Sequence, residues 1–497
     1  MKIAISYPPL ESPKGIPLLS QNRQFQWFNK PTFIYPVIPA LAATLLKQEG
    51  YDVFWDDAIA SRMAYENWKI RLIEQKPDIV AIETKTPVVK RHWSIINELK
   101  EFLPRTIFAL MGDHITALPD ESLQHSRADY CLKSGDYDFS LLSLANHLSK
   151  GTALCGGWHF RAPGSLIASS GPQNLQENDL NSLPHIDREL TGWRLYAFEN
   201  GNFKYTPGTY TMAGRDCWWG KCTFCSWTTL FPGGKFRVIK PERLLDDIEL
   251  NLITLGIKEV FDDTGCFPAG KWLLKFCDGL VERGLNKKIA FSCNMRFGVL
   301  KQEHYDAMAK ANFRFVLYGI ESANQETIER LNKKIDIAAV REELEMAKKA
   351  NRKYKGMISP HITTMIGYPW ESYKEAKSTI DFTRELFDCG LIDSLQATVV
   401  TPYPGTSFFN EVKKNGWLLT EDWDRYDMRE LVIKSDITSE QSSELTRAIY
   451  KSFMTPGFIL RKLFSIRSIN DLRYMWMAAV RVIGHLADFK TTVNTDR

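Results

Sequence analysis

Short runs rich in β-branched and aromatic residues alternate with amphipathic stretches along the first part of the chain. The strand-like runs KIAISY, DVFWDD, DIVAIET and TIFALM are each followed by a segment whose apolar residues lie three and four positions apart. Strands that alternate with helices in this way form a parallel sheet with helices on both faces. The pattern therefore predicts a doubly wound α/β domain over residues 1–150.

A second alternating series begins at Gly208, after a less regular stretch over residues 151–207 that we interpret as a linker. Helical segments separate six strand-like runs: TYTMAG, KEVFDDT, KIAFSCN, FRFVLYG, SPHITTMIG and SLQATVV. Six such units predict a full or partial barrel over residues 208–406, and barrels of this kind place their chemistry at the carboxyl ends of the strands. Residues 407–497 are predicted to form a helical C-terminal region.

The C-terminal region has one apolar helical face and an excess of basic residues. Residues 451–497 contain eight Lys or Arg and three Asp or Glu. The apolar face comprises Leu472, Trp476, Ala479, Ile483 and Leu486. This face is expected to dock on the barrel, since amphipathic helices usually bury their apolar side. The alternative is a contact with a membrane surface or an amphiphilic substrate.

Composition excludes several classes of protein. The 497 residues are 44% apolar and 25% charged, which is typical of globular proteins and not of disordered chains. The net charge of +4 argues against a dedicated nucleic-acid binder. No apolar run is long enough to span a bilayer, and the N-terminus becomes polar too early for a signal peptide. A cytoplasmic location is expected, where the nine cysteines would remain thiols.

The segment RDCWWGKCTFCSW carries the strongest chemical signal. Cys217, Cys222 and Cys225 lie in a short loop after the first barrel strand. Their soft thiolates suit an iron–sulfur cluster or zinc, but a zinc site usually has two CxxC pairs and this segment has one. Three ligands on a four-iron cluster leave one iron open to a small molecule. Cys266, at the end of the second barrel strand, is a candidate for a further ligand.

This segment resembles the cluster motif of the radical S-adenosylmethionine (SAM) enzymes. The family motif is C-x3-C-x2-C with an aromatic residue before the last cysteine, a place that Phe224 occupies. Four residues separate Cys217 from Cys222, one more than in the family. The resemblance covers nearly the whole chain and extends to the class with an N-terminal cobalamin (B12)-binding, Rossmann-like domain. It implies a [4Fe-4S] cluster on these cysteines and reductive cleavage of SAM to a 5′-deoxyadenosyl radical.

Four further segments resemble the family's later motifs, in the expected order: FDDT, YGIES, MIGYPWES and TPYPGT. By this resemblance the residues near SAM are Phe224, Asp262, Asp263, Thr264, Gly319, Glu321, Ser322, Gly367 and Pro369. Arg296 and Tyr403 are candidates for substrate binding, with a structural ion pair and a core aromatic as the respective alternatives. Trp218 and Trp219 are expected to shield the cluster or simply to pack. No residue is assigned as catalytic.

The N-terminal domain resembles the cobalamin-binding domain with one motif missing. MGDHITALPDE matches the stretch usually written GGxHxTALPEE, and ADYCLKSGDYD matches the next strand and turn. The implied cobalamin contacts are Thr84, Thr86, Gly112, His114, Thr116 and Gly135. The D-x-H-x-x-G motif, whose histidine ligates cobalt, does not occur: the corresponding DVFWDDAIASR has no histidine.

Three functions follow from these motifs. The leading hypothesis is a cobalamin-dependent radical SAM C-methyltransferase acting on a natural-product or lipid-like small molecule. It would take electrons from a donor such as flavodoxin or ferredoxin, and its tail would contact a membrane peripherally. The alternative is a radical SAM cyclase, oxidase or rearrangement enzyme whose N-terminal domain is a scaffold that does not bind cobalamin. The third is a zinc-stapled binding protein without catalysis.

Overall fold

The structure, a computed structural model, describes residues 1–19, 26–231, 233, 235–451, 455–464, 466 and 469–488. Its strands are β1 Lys2–Tyr7, β2 Ile16–Leu18, β3 Gln26–Phe28, β4 Asp52–Asp57, β5 Ile79–Glu83, β6 Ile107–Met111, β7 Tyr130–Leu132, β8 Trp158–Arg161, β9 Ile167–Ser169, β10 Gly208–Thr211, β11 Gly214–Arg215, β12 Arg237–Val238, β13 Glu259–Asp262, β14 Ala290–Met295, β15 Phe313–Glu321, β16 Ser359–Ile366 and β17 Ser394–Val399. Its α-helices are α1 Val37–Gln48, α2 Tyr65–Gln75, α3 Val89–Phe102, α4 Asp113–Ala117, α5 Pro119–His125, α6 Tyr137–Lys150, α7 Arg194–Ala197, α8 Trp227–Leu230, α9 Pro241–Leu255, α10 Gly270–Glu282, α11 Gln302–Lys310, α12 Gln325–Arg330, α13 Val340–Tyr354, α14 Tyr373–Asp388, α15 Ser407–Lys414, α16 Ser439–Lys451, α17 Pro456–Phe464 and α18 Ile469–Asp488.

The first sheet has seven strands in the order β4-β1-β5-β6-β7-β8-β9. The strands from β4 to β7 pair in parallel, and β8 and β9 extend the sheet as an antiparallel hairpin. Every residue of β5 is buried, as expected for a central strand covered by helices on both faces. The predicted doubly wound sheet is confirmed, and it continues into the stretch interpreted as a linker, as far as Ser169.

The second sheet follows the chain order β10-β13-β14-β15-β16-β17, with every pair parallel. All six predicted strands are present, and β10 and β17 are the two edges, so the barrel is partial as expected. Helix α9 begins at Pro241 and ends at Gly256, whose φ of +64° suits the left-handed helix stop. Parallel pairing puts all six carboxyl ends on one edge, where the cysteine segment lies.

The open side of the partial barrel is covered by segments from both ends of the chain. Helix α18 contacts α16 and the hairpin strand β3. Arg429 donates hydrogen bonds to the carbonyls of Lys14 and Trp27, at 3.1 and 2.6 Å, and Lys14 pairs with Asp427 at 2.6 Å. Within the described residues, no helix is long and apolar enough to cross a membrane.

The expected docking of the apolar tail face on the barrel is wrong for two of the three residues of that face whose side chains the structure describes. Leu472 is 53% and Trp476 73% exposed, whereas Ala479 lines an internal cavity. The face of α18 that lines this cavity also carries Tyr474 and Met475. The side chains of Ile483 and Leu486 lie outside the described part of the chain, as do residues 489–497 of the predicted helical region.

A buried ionic network joins the turn after β7 to the two-stranded sheet of β11 and β12. Arg215 of β11 donates hydrogen bonds to Asp136 at 2.9 Å and to Asp138 at 2.8 Å, and Arg237 binds Asp136 at 2.7 Å. Arg215, Asp136 and Asp138 are almost fully buried. Burial acts to raise the pKa of Asp136, but the two guanidinium groups outweigh it and hold that pKa at about 2. The turn after β7 is therefore fixed to the strand that leads into the cysteine segment.

Candidate active site

The three motif cysteines open on one large cavity at the carboxyl ends of the barrel strands. Cys217, Cys222 and Cys225 are free thiols and all line this cavity of about 1020 Å³. The backbone of Cys217 forms a short parallel bridge with Cys266, which follows β13 and also lines the cavity. The structure thus brings the fourth sequence candidate to the same place as the first three.

A second loop holds the cysteine loop (residues 216–226) in place. The amide of Thr223 donates to the carbonyl of Leu331 at 3.0 Å, and the indole of Trp219 donates to the carbonyl of Asn332 at 3.0 Å. The side-chain amide of Asn332 returns a hydrogen bond to the carbonyl of Lys221 at 3.0 Å. These bonds fix the cysteine loop against the turn that follows α12.

That turn carries Lys333, which pairs with Glu321 inside the cavity. The ammonium group lies 2.7 Å from the carboxylate, and both side chains are about nine-tenths buried. Glu321 has a φ of +68°, a strained conformation for a residue with a side chain, at a shift in the β15–β16 register. The carboxylate folds back over Gly319, where a Cβ would lie 2.0 Å from Glu321 Oε1. A side chain at position 319 would therefore displace the Glu321 carboxylate from this place.

The thiols differ in how readily they lose a proton. A hydrogen bond from the Cys266 thiol, with help from nearby backbone amides and Lys333, lowers the pKa of Cys217 to about 6. Burial raises the pKa of Cys225 to about 12 and also raises that of Cys222. Burial alone would lower the pKa of Lys333, but Glu321 and the thiols raise it, so this lysine is a fixed positive charge beside the cysteines.

Arg296 also lines the cavity. Its guanidinium carbon lies 4.0 Å from the ring centre of Trp219 and 5.7 Å from that of Trp218. The same group donates hydrogen bonds to the carbonyls of Lys333 and Lys334. Arg296 thus contacts both the cysteine loop and the turn that follows α12. Trp218 and Trp219, which were expected to shield the cluster or to pack, lie against its guanidinium group.

The predicted SAM residues divide into two groups. Phe224, Gly319 and Glu321 line the cavity. The others lie outside its lining and frame it: Asp262, Asp263, Thr264, Ser322, Gly367 and Pro369. Asp262, for example, accepts hydrogen bonds from Thr211 at 2.9 Å, from the Ala213 amide at 2.8 Å and from Thr264 at 2.6 Å, which ties β10 to β13.

The candidate Tyr403 does not line the cavity. Its hydroxyl donates to the carbonyl of Tyr426 at 3.0 Å in a buried position. The nearby Gly405 lies against the N-terminal domain, since a Cβ there would meet Ala117 Cβ at 2.8 Å. Tyr403 therefore belongs to the contact between the two sheets.

The six predicted cobalamin contacts are covered by the chain itself. They are Thr84, Thr86, Gly112, His114, Thr116 and Gly135, all buried and all outside the lining of the cavity. His114 contacts Thr86 at 3.3 Å through one ring nitrogen and Glu121 at 3.1 Å through the other. Gly135 faces Phe231, whose ring would be 2.6 Å from an added Cβ. As arranged here, these residues do not form an open cradle for a corrin.

Sequence reasoning missed Lys333 and the residues from outside the barrel that close the cavity. No motif marks Lys333, because it reaches the cysteines through a turn of α12 and not through a strand end. Among the described residues, no three His, Cys, Asp or Glu side chains are grouped closely enough to hold a single metal ion. The three thiols line one shared cavity.

Comparisons with known proteins agree with this arrangement. Residues 213–383 match the model of the Radical SAM superfamily. The chain is 26% identical over 435 residues to an uncharacterized methyltransferase of Pyrococcus horikoshii, covering 86% of this chain and 90% of that protein. It is 23% identical to the anaerobic magnesium-protoporphyrin IX monomethyl ester cyclase of Cereibacter sphaeroides, covering 76% and 60% of the two chains.

The fold also matches a solved structure over its whole length. The radical SAM methyltransferase TsrM from Kitasatospora setae, with cobalamin and a [4Fe-4S] cluster bound, has a TM-score of 0.69. It is 13% identical, and the match covers 98% of this chain and 99% of that one. The likeness therefore covers the N-terminal domain, the barrel and the helical tail.

The residues at the barrel edge fit the two groups that a radical SAM domain uses, a [4Fe-4S] cluster and SAM. The donor set is three soft thiols, which suit iron–sulfur clusters. Lys333 and Arg296 add positive charge beside thiolates that become anionic when they bind iron. Residues 213–383 are thus a radical SAM domain, which is joined to an N-terminal domain of the fold found in cobalamin-bound TsrM.

Proposed function

We propose that this enzyme is a methyltransferase that acts on a natural-product or lipid-like small molecule. The observation that carries the proposal is the set of three free cysteines and the Glu321–Lys333 pair, which open on one cavity large enough for SAM and a second molecule. When bound, the cluster supplies the electron that cleaves SAM to a 5′-deoxyadenosyl radical. The relative from Pyrococcus horikoshii, which matches most of the chain, is named as a methyltransferase.

The side chains take the following proposed parts. Cys217, Cys222 and Cys225 hold the cluster, and Glu321 and Phe224 contact SAM. Lys333 keeps the Glu321 carboxylate in position and offsets the charge of the thiolates. The remaining predicted SAM residues support the strand ends from behind. Helix α18 covers the open side of the barrel, which restricts the access of water to a radical.

Cobalamin is part of the proposal because the N-terminal domain has the fold of a cobalamin-bound structure. The six residues that sequence reasoning assigned to it are covered here by α8, by Gly405 and by their own neighbours. A bound corrin would need either a more open arrangement of the two sheets or a different set of contacts.

The covering of the predicted cobalamin contacts in the N-terminal domain favours a second candidate function. A radical SAM cyclase, oxidase or rearrangement enzyme needs no methyl carrier, and its N-terminal domain would be a scaffold. The missing cobalt-ligating histidine points the same way, and one relative is named as a cyclase. Corrinoid binding separates the two candidates.

The proposal includes an electron donor such as flavodoxin or ferredoxin and a cytoplasmic location, where free thiols persist. It also includes a peripheral membrane contact by the tail. Four exposed apolar side chains support that contact: Leu460, Phe464, Leu472 and Trp476. Basic residues outnumber acidic ones in the same region, which suits anionic lipid headgroups.

The test is an anaerobic incubation of the reconstituted enzyme with SAM and a chemical reductant, with and without hydroxocobalamin. S-adenosylhomocysteine, the product left when SAM gives up its methyl group, should form and should depend on retained corrinoid. Formation of 5′-deoxyadenosine without S-adenosylhomocysteine would favour the second candidate. Formation of neither by a cluster-loaded protein would contradict both.

A further inference from the structure

The cavity continues from the cysteines along the inside of the barrel. Barrel interiors are normally filled with packed side chains. Here the inward-facing residues of three neighbouring strands line open space: Phe315, Leu317, Gly319 and Glu321 of β15, Ser359, His361, Thr363 and Met365 of β16, and Ser394, Gln396 and Thr398 of β17. From Ser359 to Met365 the wall is roughly 20 Å long, at about 3.3 Å per residue. We call this space the lumen.

The two walls of the lumen differ in chemistry. On the strand wall, β15 contributes the apolar Phe315 and Leu317, whereas β16 and β17 contribute mainly hydroxyl, imidazole and amide groups, with His361 and Ser394 in contact at 2.8 Å. The opposite wall belongs to α17 and α18 and is mainly apolar: Phe458, Ile459, Leu463, Tyr474, Met475, Ala478 and Ala479. A molecule that fills this space must present hydrogen-bonding groups on one edge and hydrocarbon on the other.

The lumen opens at the end away from the cysteines. Helix α17 lies beside the amino-terminal end of β17, where Lys462 pairs with Asp393 at 2.6 Å, and Phe458 stacks on Phe387 at 4.5 Å between ring centres. Ile459 and Leu463 line the lumen and are nevertheless 47% and 51% exposed. They mark a mouth between helices, at the opposite end of the strands from the cluster motif.

Apolar and basic side chains surround this mouth. Leu460 and Phe464 extend its exposed apolar border outward, at 53% and 86% exposure. Inside the mouth, Lys204 pairs with Asp471 at 2.5 Å, and Arg314 donates to Glu259 at 2.6 Å. An entering molecule therefore meets hydrocarbon first and then cations that are held by neighbouring acids.

We propose that the lumen binds an elongated amphiphile, a largely hydrocarbon molecule with an anionic or hydrogen-bonding group, which enters between α17 and α18 and extends toward the cysteines. The length of the strand wall, the opposed polar and apolar walls and the apolar mouth together select this class. A short polar metabolite would leave most of the apolar wall exposed to water. The inference deepens the proposed function, on which it rests for the claim that the bound molecule is the substrate.

Binding can be measured without turnover, by equilibrium dialysis of the cluster-loaded enzyme with radiolabelled oleic acid below its micelle concentration. The wild type should bind one equivalent, and unlabelled octanoic acid should compete poorly because it spans only part of the lumen. Two variants fill the lumen from opposite walls, Thr363→Trp and Ala478→Trp. Each should weaken oleic acid binding about tenfold or more.

The matched control is Ile253→Trp, which places the same side chain on the exposed face of α9, outside the lumen lining, and should bind oleic acid like the wild type. Equal binding by all four proteins, no binding by the wild type, or equally good competition by octanoic acid would each overturn the inference. Cleavage of SAM by the same preparations tests the proposed function separately. If the protein binds oleic acid in the lumen but does not cleave SAM, the inference about the lumen is supported and the proposed methyltransferase function is contradicted.

Discussion

The barrel and the N-terminal sheet both place polar side chains at the carboxyl ends of parallel strands. The barrel edge is open to a cavity, whereas the edge of the N-terminal sheet is closed by packing. At the barrel edge, thiols and an ion pair face a cavity of about 1020 Å³. At the N-terminal edge the polar groups bind one another: the Tyr7 hydroxyl donates to Glu83 at 2.6 Å, and the Tyr196 hydroxyl donates to Asp57 at 2.5 Å. A motif match locates both edges, whereas the packing of neighbouring side chains decides which one is open.

The largest expected effect concerns which cysteines of the open edge hold iron. Cys225→Ala should abolish cluster assembly, because it removes one of three ligands in a short loop. Cys266→Ala is the matched control: its thiol lines the same cavity but lies outside the motif, so iron should be retained. Iron and sulfide content after anaerobic reconstitution gives the answer. Equal iron loss in both variants would make Cys266 a ligand.

The next largest effect concerns the buried ionic network of Arg215, Asp136 and Asp138, which joins the turn after β7 to β11. Arg215→Met leaves Asp138 buried without its guanidinium partner and leaves Asp136 with Arg237 alone, so the free energy of unfolding should fall by about 3–5 kcal/mol. Lys377→Met breaks an exposed helical pair with Asp381 and should cost less than about 1 kcal/mol. Chemical denaturation measures both. A small loss in Arg215→Met would mean that this network does not hold the N-terminal domain to the β11–β12 sheet.

The burial of Asp57 at the closed edge of the N-terminal sheet should make the stability of the protein depend on pH. Burial raises the pKa of Asp57 from 3.8 to about 6, so between these values the unfolded chain ionises while the folded protein does not. Asp57 should therefore contribute a loss of stability of up to about 3 kcal/mol as pH rises from about 4 to 6. Asp57→Asn should lack that component. Parallel stability curves for the two proteins would show that the edge admits water.

The smallest expected change in stability tests the geometry of the open edge. Gly319→Ala would place a Cβ against the flexible ends of Glu321 and Lys333, so the pair should move aside at a cost below about 1 kcal/mol. SAM binding to the cluster-loaded enzyme should nevertheless weaken, because Glu321 is displaced. Gly457→Ala, with open space around the added Cβ, is the control. Unchanged SAM affinity in Gly319→Ala would show that Glu321 does not contribute to SAM binding.

Local pattern was sufficient for the architecture. All six barrel strands and the doubly wound parallel sheet were predictable, because strand and helix periods alternate clearly and Pro241 and Gly256 mark the limits of α9. The cysteine loop was predictable because its ligands are adjacent in the sequence. The role of Lys333 and the presence of the lumen were not predictable. Lys333 lies in a turn between elements, and the lumen is closed by helices that are distant in the sequence. The exposure of Leu472 and Trp476 was missed because an apolar helical face does not reveal which neighbour covers it.

The most direct test of the open barrel edge is the release of 5′-deoxyadenosine from SAM by the reconstituted, chemically reduced enzyme, measured by mass spectrometry. We expect release by the wild type and by Cys266→Ala, and none by Cys225→Ala. A wild-type protein that carries a full complement of iron and sulfide but leaves SAM intact would overturn the assignment of this edge as the active site, as would undiminished release by Cys225→Ala.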